Sequence, residues 1–267
     1  MARPGSRGAW TSGERYDAYM GRWSRAAAGR FVREVSVPAG GAWLDLGCGT
    51  GALTEAILEL ATPSLVVGVD PSEPYARHAA AALGGRGARF GVADAHALPF
   101  RDEAFDACAS ALVINFLRDP PTAVREMRRV VRSGGVVAGY VWDYAEGMGL
   151  LRAFWDAAAA VDPEALALDE GRRFAVARPE PLGELFGAAG LARITVWAIE
   201  VETRFGSFED LWSPFLGGQG PAPAYVASLP EGTRRDLAAR LRERLPFAED
   251  GTIALPARAW AVRAERP

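Results

Sequence analysis

The sequence predicts an α/β protein built on a doubly wound parallel sheet. Two observations support this class: from residue 42 onward short apolar runs alternate with helical patterns, and the first run ends in Gly47, Gly49 and Gly51, at a junction between a strand and a helix. Such alternation favours a parallel sheet covered by helices. With 267 residues, of which 49% are hydrophobic, the chain can bury a full core.

Five apolar runs between residues 40 and 145 are the predicted core strands. In chain order they are AWLDL, LVVGVD, ARFGVAD, FDACASALV and VVAGYVW. The first predicted helix places Leu53, Ile57 and Leu60 on one face, and an alanine-rich helix follows the second strand. The pattern thus predicts that strands and helices alternate through the core.

The helix after the fourth strand carries its own start and stop residues. Asp119 suits an N-cap and Pro120 suits the first turn. Val131 falls on the apolar face, together with Val124 and Met127, and the pair at 134–135 is Gly-Gly. We therefore expect this helix to run past Val131 and to end at the two glycines.

The pattern changes beyond residue 145. Helical segments at about 148–162 and 180–189 precede two further strands, ITVWAIEV and TIALPARAWAV, which bring the sheet to seven strands. The insertion between these strands, about 204–252, is long for a connection and predicts a helical lid or binding element. The expected organisation is one structural domain with a helical cap (1–39), a core (40–145), a helical segment (146–190) and the last two strands with their lid (191–267).

Composition excludes several classes of function. A net charge of −3 offers no basic field for nucleic acid, and all thirty basic residues are arginine, so no lysine Schiff base can form. Cys48, Cys108, His78 and His96 show no spacing typical of metal ligands, so we expect no metal. No apolar signal core or membrane-length apolar run occurs, which predicts a soluble cytoplasmic enzyme without a membrane span. Its oligomeric state stays open.

The glycines predict a ligand site at the end of the first strand. Glycine packs nothing and costs backbone entropy, so three at one turn indicate that something must lie close to the backbone. Asp45, Asp70 and Asp94 stand at the ends of three successive strands, where ligands of open α/β sheets bind. The run GCGTGA also fits a degenerate dinucleotide fingerprint, which leaves an NAD(P)-dependent oxidoreductase open. Without lysine, however, the chain has no Tyr-x-x-x-Lys pair.

Four segments together resemble the class I S-adenosylmethionine-dependent methyltransferases. They are LDLGCGTG, VVGVDPS, GVADAHALPF and FDACASALVINFLRD, and the resemblance covers about residues 40 to 145. Within that class it looks like the group of ubiquinone- and menaquinone-biosynthesis enzymes, which also shows segments similar to YDAYMGRWSR and GYVWDYAEGM. The resemblance implies a Rossmann-like seven-stranded sheet with an antiparallel last strand, S-adenosylmethionine as cofactor and S-adenosylhomocysteine as product.

The resemblance also implies cofactor-binding residues. Asp45 would receive the ammonium of the methionyl group, Asp70 the ribose hydroxyls and Asp94 the adenine amine. The full implied set is Tyr19, Arg22, Asp45, Gly47, Cys48, Gly49, Asp70, Pro71, Asp94, Ala95, Ser110 and Ala111. Asp94 could instead be a turn or cap residue, and the helix with Tyr19 and Arg22 could simply pack on the sheet.

No catalytic residue is assigned from the sequence. Methyl transfer from a sulfonium depends mainly on positioning and exclusion of water, so no strong base is required. Candidates for a base or an acceptor contact are His96, Asn115, Asp143 and Tyr144. His96 could alternatively shield the adenine edge. Asn115 is followed by Phe116, so the Asn-Pro-Pro-Tyr signature of nucleobase methylation is absent.

The acceptor is expected to be a small apolar or aromatic molecule. The predicted pocket residues are Asn115, Trp142, Trp212, Phe215 and Tyr225. Three of these aromatics fall in the insertion, where we expect little core, and a pocket lined by them favours an apolar ligand. We expect the insertion to close over the methyl group. A non-catalytic module that binds S-adenosylmethionine remains an alternative.

Overall fold

The structure is a computed structural model that describes residues 21–217 and 220–267. The described chain forms two compact units. The sheet unit comprises residues 24–141, 176–199 and 259–267, and the helical unit comprises residues 21–23, 142–175 and 200–258 without 218–219. This division into two units does not test the predicted domain boundaries, which stay a prediction.

Seven strands form one mixed sheet in the order β3-β2-β1-β4-β5-β7-β6. Their bounds are β1 Ala42–Leu46, β2 Leu65–Asp70, β3 Ala88–Val92, β4 Phe105–Ala111, β5 Val131–Trp142, β6 Ala192–Phe205 and β7 Ile253–Glu265. The pairs among β1 to β5 are parallel. β7 runs antiparallel to β5, since the Gly134 amide donates to the Arg266 carbonyl and the Arg266 amide donates back to Gly135. The predicted fold class is confirmed.

Five helices belong to the sheet unit. They are α1 Arg22–Glu34, of which residues 24–34 lie in this unit, α2 Ala52–Leu60, α3 Glu73–Leu83, α4 Pro120–Val130 and α7 Pro179–Ala188. On α2, Leu53 and Ile57 are buried, but Leu60 is exposed, contrary to the expected apolar face. Leu60 is in the last turn of the helix.

Helix α4 begins as predicted and ends earlier than predicted. The Asp119 carboxylate accepts a hydrogen bond from the Thr122 amide, which confirms the N-cap. The expected end at the glycine pair is wrong: Val131 already belongs to β5, where it pairs with Phe105. Gly135 lies within β5, and a Cβ there would come within 2.6 Å of the Asp106 carbonyl. The glycine therefore permits a close strand contact instead of ending the helix.

The helical unit contains five further helices. They are α5 Gly149–Val161, α6 Glu170–Arg173, α8 Phe208–Trp212, α9 Pro221–Ser228 and α10 Glu231–Arg244. Helices α8 to α10 occupy the predicted insertion, and β6 and β7 are longer than the strands read from the sequence. No helix in the described ranges is long and apolar enough to cross a membrane.

Candidate functional site

The three glycines of the loop between β1 and α2 all have left-handed backbone angles, and two of them also face a side chain that leaves no room for a Cβ. Gly47 has a φ of +74°, and a Cβ there would lie 2.5 Å from the Val113 side chain. Gly51 has a φ of +96° and equally close contact with Leu83. Gly49 has a φ of +53°, yet a Cβ there would meet nothing within 4 Å. The loop is therefore packed at both ends and open at its centre, where a ligand can reach the backbone.

Asp70, the last residue of β2, holds this open centre in place. Its Oδ2 accepts from the Gly49 amide at 3.1 Å, and its Oδ1 accepts from the Ser72 amide at 2.8 Å. Burial raises the pKa of the Asp70 carboxyl, while both amide bonds act to lower it. A carboxylate with two fixed oxygens at a strand end has the geometry that accepts hydroxyl hydrogen bonds.

Asp45 lies deeper, with no exposed surface. Its Oδ2 accepts from the Thr54 hydroxyl at 2.7 Å, whereas its Oδ1 has no hydrogen-bond partner among the described residues. Burial raises the pKa of Asp45 to about 7, against the lowering effect of Thr54 and with a smaller contribution from Asp70. The unpartnered oxygen is a place where an ammonium or a bridging water would be stabilised.

Asp94 and His96 form a contact that the sequence did not reveal. The Asp94 Oδ1 accepts from the His96 backbone amide at 3.0 Å and lies 2.5 Å from the His96 Nδ1. The backbone bond is the largest cause of a lowered Asp94 pKa. The His96 Nε2 is buried and finds no partner within the described chain. Asp94 thus fixes the imidazole ring, and Ala95 between them is buried.

The chain that leaves β4 contains two polar side chains with different surroundings. The Ser110 hydroxyl donates to the Leu46 carbonyl at 2.9 Å and so links β4 to β1. Asn115 follows in a 3-10 turn and is 7% exposed, with both amide atoms unpartnered among the described residues. Leu112 between them has a φ of +61°, in the left-handed region that a bulky residue rarely adopts.

Asp143, a candidate base, is engaged in structural contacts. Its Oδ2 accepts from Arg258 at 2.6 and 2.8 Å, and its Oδ1 accepts from the Glu146 amide. Tyr144 packs its ring against Phe174 at 5.4 Å, and Trp142 is 2% exposed. The contacts of Asp143 are those of a structural ion pair with Arg258, and they do not support a role for Asp143 as a base.

The aromatics of the insertion form a core, which corrects the expectation that little core is needed there. Phe215 is fully buried and stacks on Phe154 of α5, with ring centroids 4.7 Å apart. Tyr225 lies 5.8 Å from Trp155 by the same measure, and the partly exposed Trp212 lies 5.7 Å from Phe215. Their role in an acceptor pocket stays a prediction.

Two predicted site residues are not fully described by the structure, and one buried carboxyl elsewhere was not expected from the sequence. Tyr19 falls outside the described residues, and the Arg22 side chain is not described although its backbone begins α1. Sequence reasoning missed Glu170, a buried carboxyl in the helical unit that accepts from the Trp155 indole at 2.5 Å. Burial raises the pKa of Glu170 to about 7. The sequence around it, ALDEGRR, carries no pattern that separates this glutamate from a surface one.

Comparison with known proteins finds matches that include the glycine loop. The family model described as "Methyltransferase domain" matches residues 44–139. A demethylmenaquinone methyltransferase of Roseiflexus sp. (strain RS-1) is 34% identical over 173 residues, covering 59% of this chain and 71% of that protein. One from Roseiflexus castenholzii is 41% identical over 101 residues, 38% of this chain; the chain spans only 42% of that relative's length.

A solved structure shows the same fold. It is the Haemonchus contortus phosphoethanolamine N-methyltransferase 2 in complex with phosphomonomethylethanolamine and S-adenosylhomocysteine. Its TM-score is 0.58 at 16% identity, with 96% of this chain and 57% of that chain covered. The chain belongs to the class I S-adenosylmethionine-dependent methyltransferases. Its cofactor is S-adenosylmethionine, so the predicted family and cofactor are confirmed.

Proposed function

We propose that this methyltransferase acts on a small apolar or aromatic molecule, a reduced quinone ring being the favoured example. The names of the two Roseiflexus relatives, both demethylmenaquinone methyltransferases, support a quinone-type acceptor. The acceptor class rests on these names, whereas the observation that supports the cofactor site is the Asp70 carboxylate bonded to the Gly49 amide at the open centre of the glycine loop. A packed sheet does not need this arrangement, but a nucleoside ligand does.

The described residues fit the cofactor. The open backbone at Gly49 would admit the methionyl part, and Asp70 beside it would accept the ribose hydroxyls. The unpartnered Oδ1 of Asp45 would balance the ammonium, and the half-exposed Asp94 would accept from the adenine amine. Pro71, Ala95 and Ala111 also belong to the set carried over from the family.

The chain's own contribution to the reaction is positioning. When bound, S-adenosylmethionine supplies a methyl group already activated by its sulfonium. The acceptor gains that methyl group and releases a proton, so the protein must hold the acceptor atom in line and keep water away. His96 is fixed by Asp94, and we assign it to the adenine edge, with no part in proton removal. The cytoplasmic location and the absence of a nucleic-acid partner stay predictions.

A methyl-transfer assay tests the acceptor class. The full chain is incubated anaerobically with S-adenosylmethionine and naphthohydroquinone, a catechol, a primary amine, total RNA or a protein extract. We expect a methylated product, seen by mass spectrometry, with the naphthohydroquinone or another small aromatic. Methylation of RNA or protein alone would contradict the proposal.

A further inference from the structure

Asn115 stands apart from the other buried polar groups near the glycine loop. Its Nδ2 and Oδ1 are both buried, and neither has a hydrogen-bond partner among the described residues. The Ser110 hydroxyl, five residues earlier, is equally buried but is bonded to Leu46, and the Asp45 carboxyl is bonded to Thr54. Asn115 alone of these three side chains has every polar atom unpaired.

An unpaired buried amide needs an explanation. Such a group has lost its hydrogen bonds to water without replacement, so it destabilises the free protein. An apolar residue of similar shape would avoid this cost. Its neighbour Ile114 is fully buried, so an apolar side chain suits this turn. The amide is therefore best explained by a ligand that supplies the missing partners.

The position of the turn points to the reaction site. Val113, two residues before Asn115, packs where a Cβ at Gly47 would stand, which places this turn against the glycine loop. β4 is the parallel neighbour of β1, with Ala109 opposite Asp45. The Leu112 amide donates to the Tyr140 carbonyl at 2.8 Å, which fixes the unusual backbone before the turn. Asn115 is thus held at the edge of the sheet where β1 and β4 both end.

We propose that Asn115 is the residue that orients the methyl acceptor, by binding a hydroxyl or amino group on it. This inference rests on the proposed function. Its Oδ1 would accept the hydrogen of that group, and its Nδ2 would donate to an oxygen of the acceptor. A carboxamide is not a base, so Asn115 selects and aligns the acceptor without removing a proton. An acceptor that lacks such a donor loses the bond to Oδ1 and should gain less from Asn115.

Asn115→Leu tests the inference because leucine keeps the shape and removes the polar atoms. In the free protein we expect a rise in Tm of about 2 to 4 °C, since an unpaired polar group is lost. The matched control is Thr203→Val: Thr203 is buried, its hydroxyl donates to the Leu255 carbonyl at 2.8 Å, and its loss should lower Tm. Affinity for S-adenosylhomocysteine, measured by calorimetry, should stay the same in both variants.

The acceptor contact is measured by titrating naphthohydroquinone into the complex with S-adenosylhomocysteine. We expect Asn115→Leu to weaken this binding by about tenfold or more, and to weaken the binding of the dimethyl ether of naphthohydroquinone by a smaller factor, because the ether oxygens can accept from Nδ2 but offer no hydrogen to Oδ1. Thr203→Val should bind both compounds as the wild type does.

Three results would overturn the inference. A lower Tm for Asn115→Leu would show that the amide has a structural partner. Weaker binding of S-adenosylhomocysteine by Asn115→Leu would show that the amide contacts the cofactor and not the acceptor. Equal affinity of wild type and variant for naphthohydroquinone would show that Asn115 does not contact the acceptor. If the wild type itself fails to bind naphthohydroquinone, the proposed acceptor class is wrong, while the rise in Tm with intact cofactor affinity still supports a ligand-facing Asn115.

Discussion

Two buried carboxyls, Asp45 and Glu170, make the stability of this protein sensitive to pH. Burial raises both pKa values to about 7, because the charged form loses its hydration and gains few partners. In the unfolded chain these groups ionise near pH 4. Between these values the folded chain keeps protons that the unfolded chain has released, so stability falls as pH rises.

Asp45→Asn and Glu170→Gln should each remove part of this slope. Between about pH 5 and 7, each variant should become more stable relative to the wild type as pH rises, by up to about 1.4 kcal/mol per pH unit. Urea denaturation at several pH values measures the slope. Asp119→Asn is the control, because Asp119 has a lowered pKa and no part in this pH window. Slopes for the two variants that match the wild type would contradict the account.

At the residue scale, the sequence predicts where a residue lies along a strand better than which side chains it contacts. Asp70 could be placed at the end of β2 because its strand and the following Pro-Ser are evident in the sequence. The Asp94 contact with His96 depends on side-chain rotamers in a tight turn, and the unpaired amide of Asn115 depends on burial by the fold. Neither property is encoded in spacing or composition.

At the element scale, the described part of the insertion between β6 and β7 buries more apolar side chains than its Pro- and Gly-rich sequence suggests. Leu237 and Leu241 of α10 are fully buried, as is Phe215. The sequence predicted the length and helical character of this segment, since both follow from local pattern. It could not predict the packing of Phe215 on Phe154, because that contact joins residues far apart in the chain.

Trp212→Ala tests whether the insertion contributes to acceptor binding. Trp212 is partly exposed and lies beside Phe215, so we expect its removal to take away contact area without opening the core. We expect about a tenfold loss in kcat/KM for the acceptor, with affinity for S-adenosylhomocysteine nearly unchanged. The assay is steady-state kinetics with the acceptor that the methyl-transfer assay identifies.

The matched control for Trp212→Ala is Phe247→Ala. Phe247 is an exposed aromatic of the same unit, under Arg242. Its loss should leave both kcat/KM for the acceptor and the affinity for S-adenosylhomocysteine unchanged. If Trp212→Ala also leaves kcat/KM unchanged, the insertion is a structural element and the acceptor contacts lie elsewhere.

The boundaries of helix α4 show where the local sequence pattern is no longer sufficient to predict the end of an element. The Asp119 cap sets the start of α4 in both sequence and structure. Its end does not follow the glycines, because pairing between Val131 and Phe105 draws the chain into β5. Strand pairing is a long-range interaction and overrides a local stop pattern. The antiparallel last strand is likewise implied only by the resemblance to a family, since spacing alone does not determine the direction of a strand.

At the scale of the whole molecule, the proposed cofactor site lies at one edge of the sheet. β1 and β2 end at this edge, the glycine loop is open there, and Asp70 fixes its backbone. Membership of the methyltransferase family identifies the cofactor, and the geometry of this edge indicates the residues proposed to hold it. The acceptor class and the role of Asn115 both presuppose that S-adenosylmethionine binds at this edge.

Calorimetry with S-adenosylhomocysteine tests that central claim most directly. We expect the wild type to bind one equivalent, and Asp70→Ala to bind about ten- to a hundredfold more weakly, because charged hydrogen bonds to the ribose are lost. Asp236→Ala, an exposed aspartate on α10, should bind as the wild type does. Circular dichroism confirms that each variant is folded. Undiminished affinity in folded Asp70→Ala, or binding of NADH in place of S-adenosylhomocysteine by the wild type, would contradict the account.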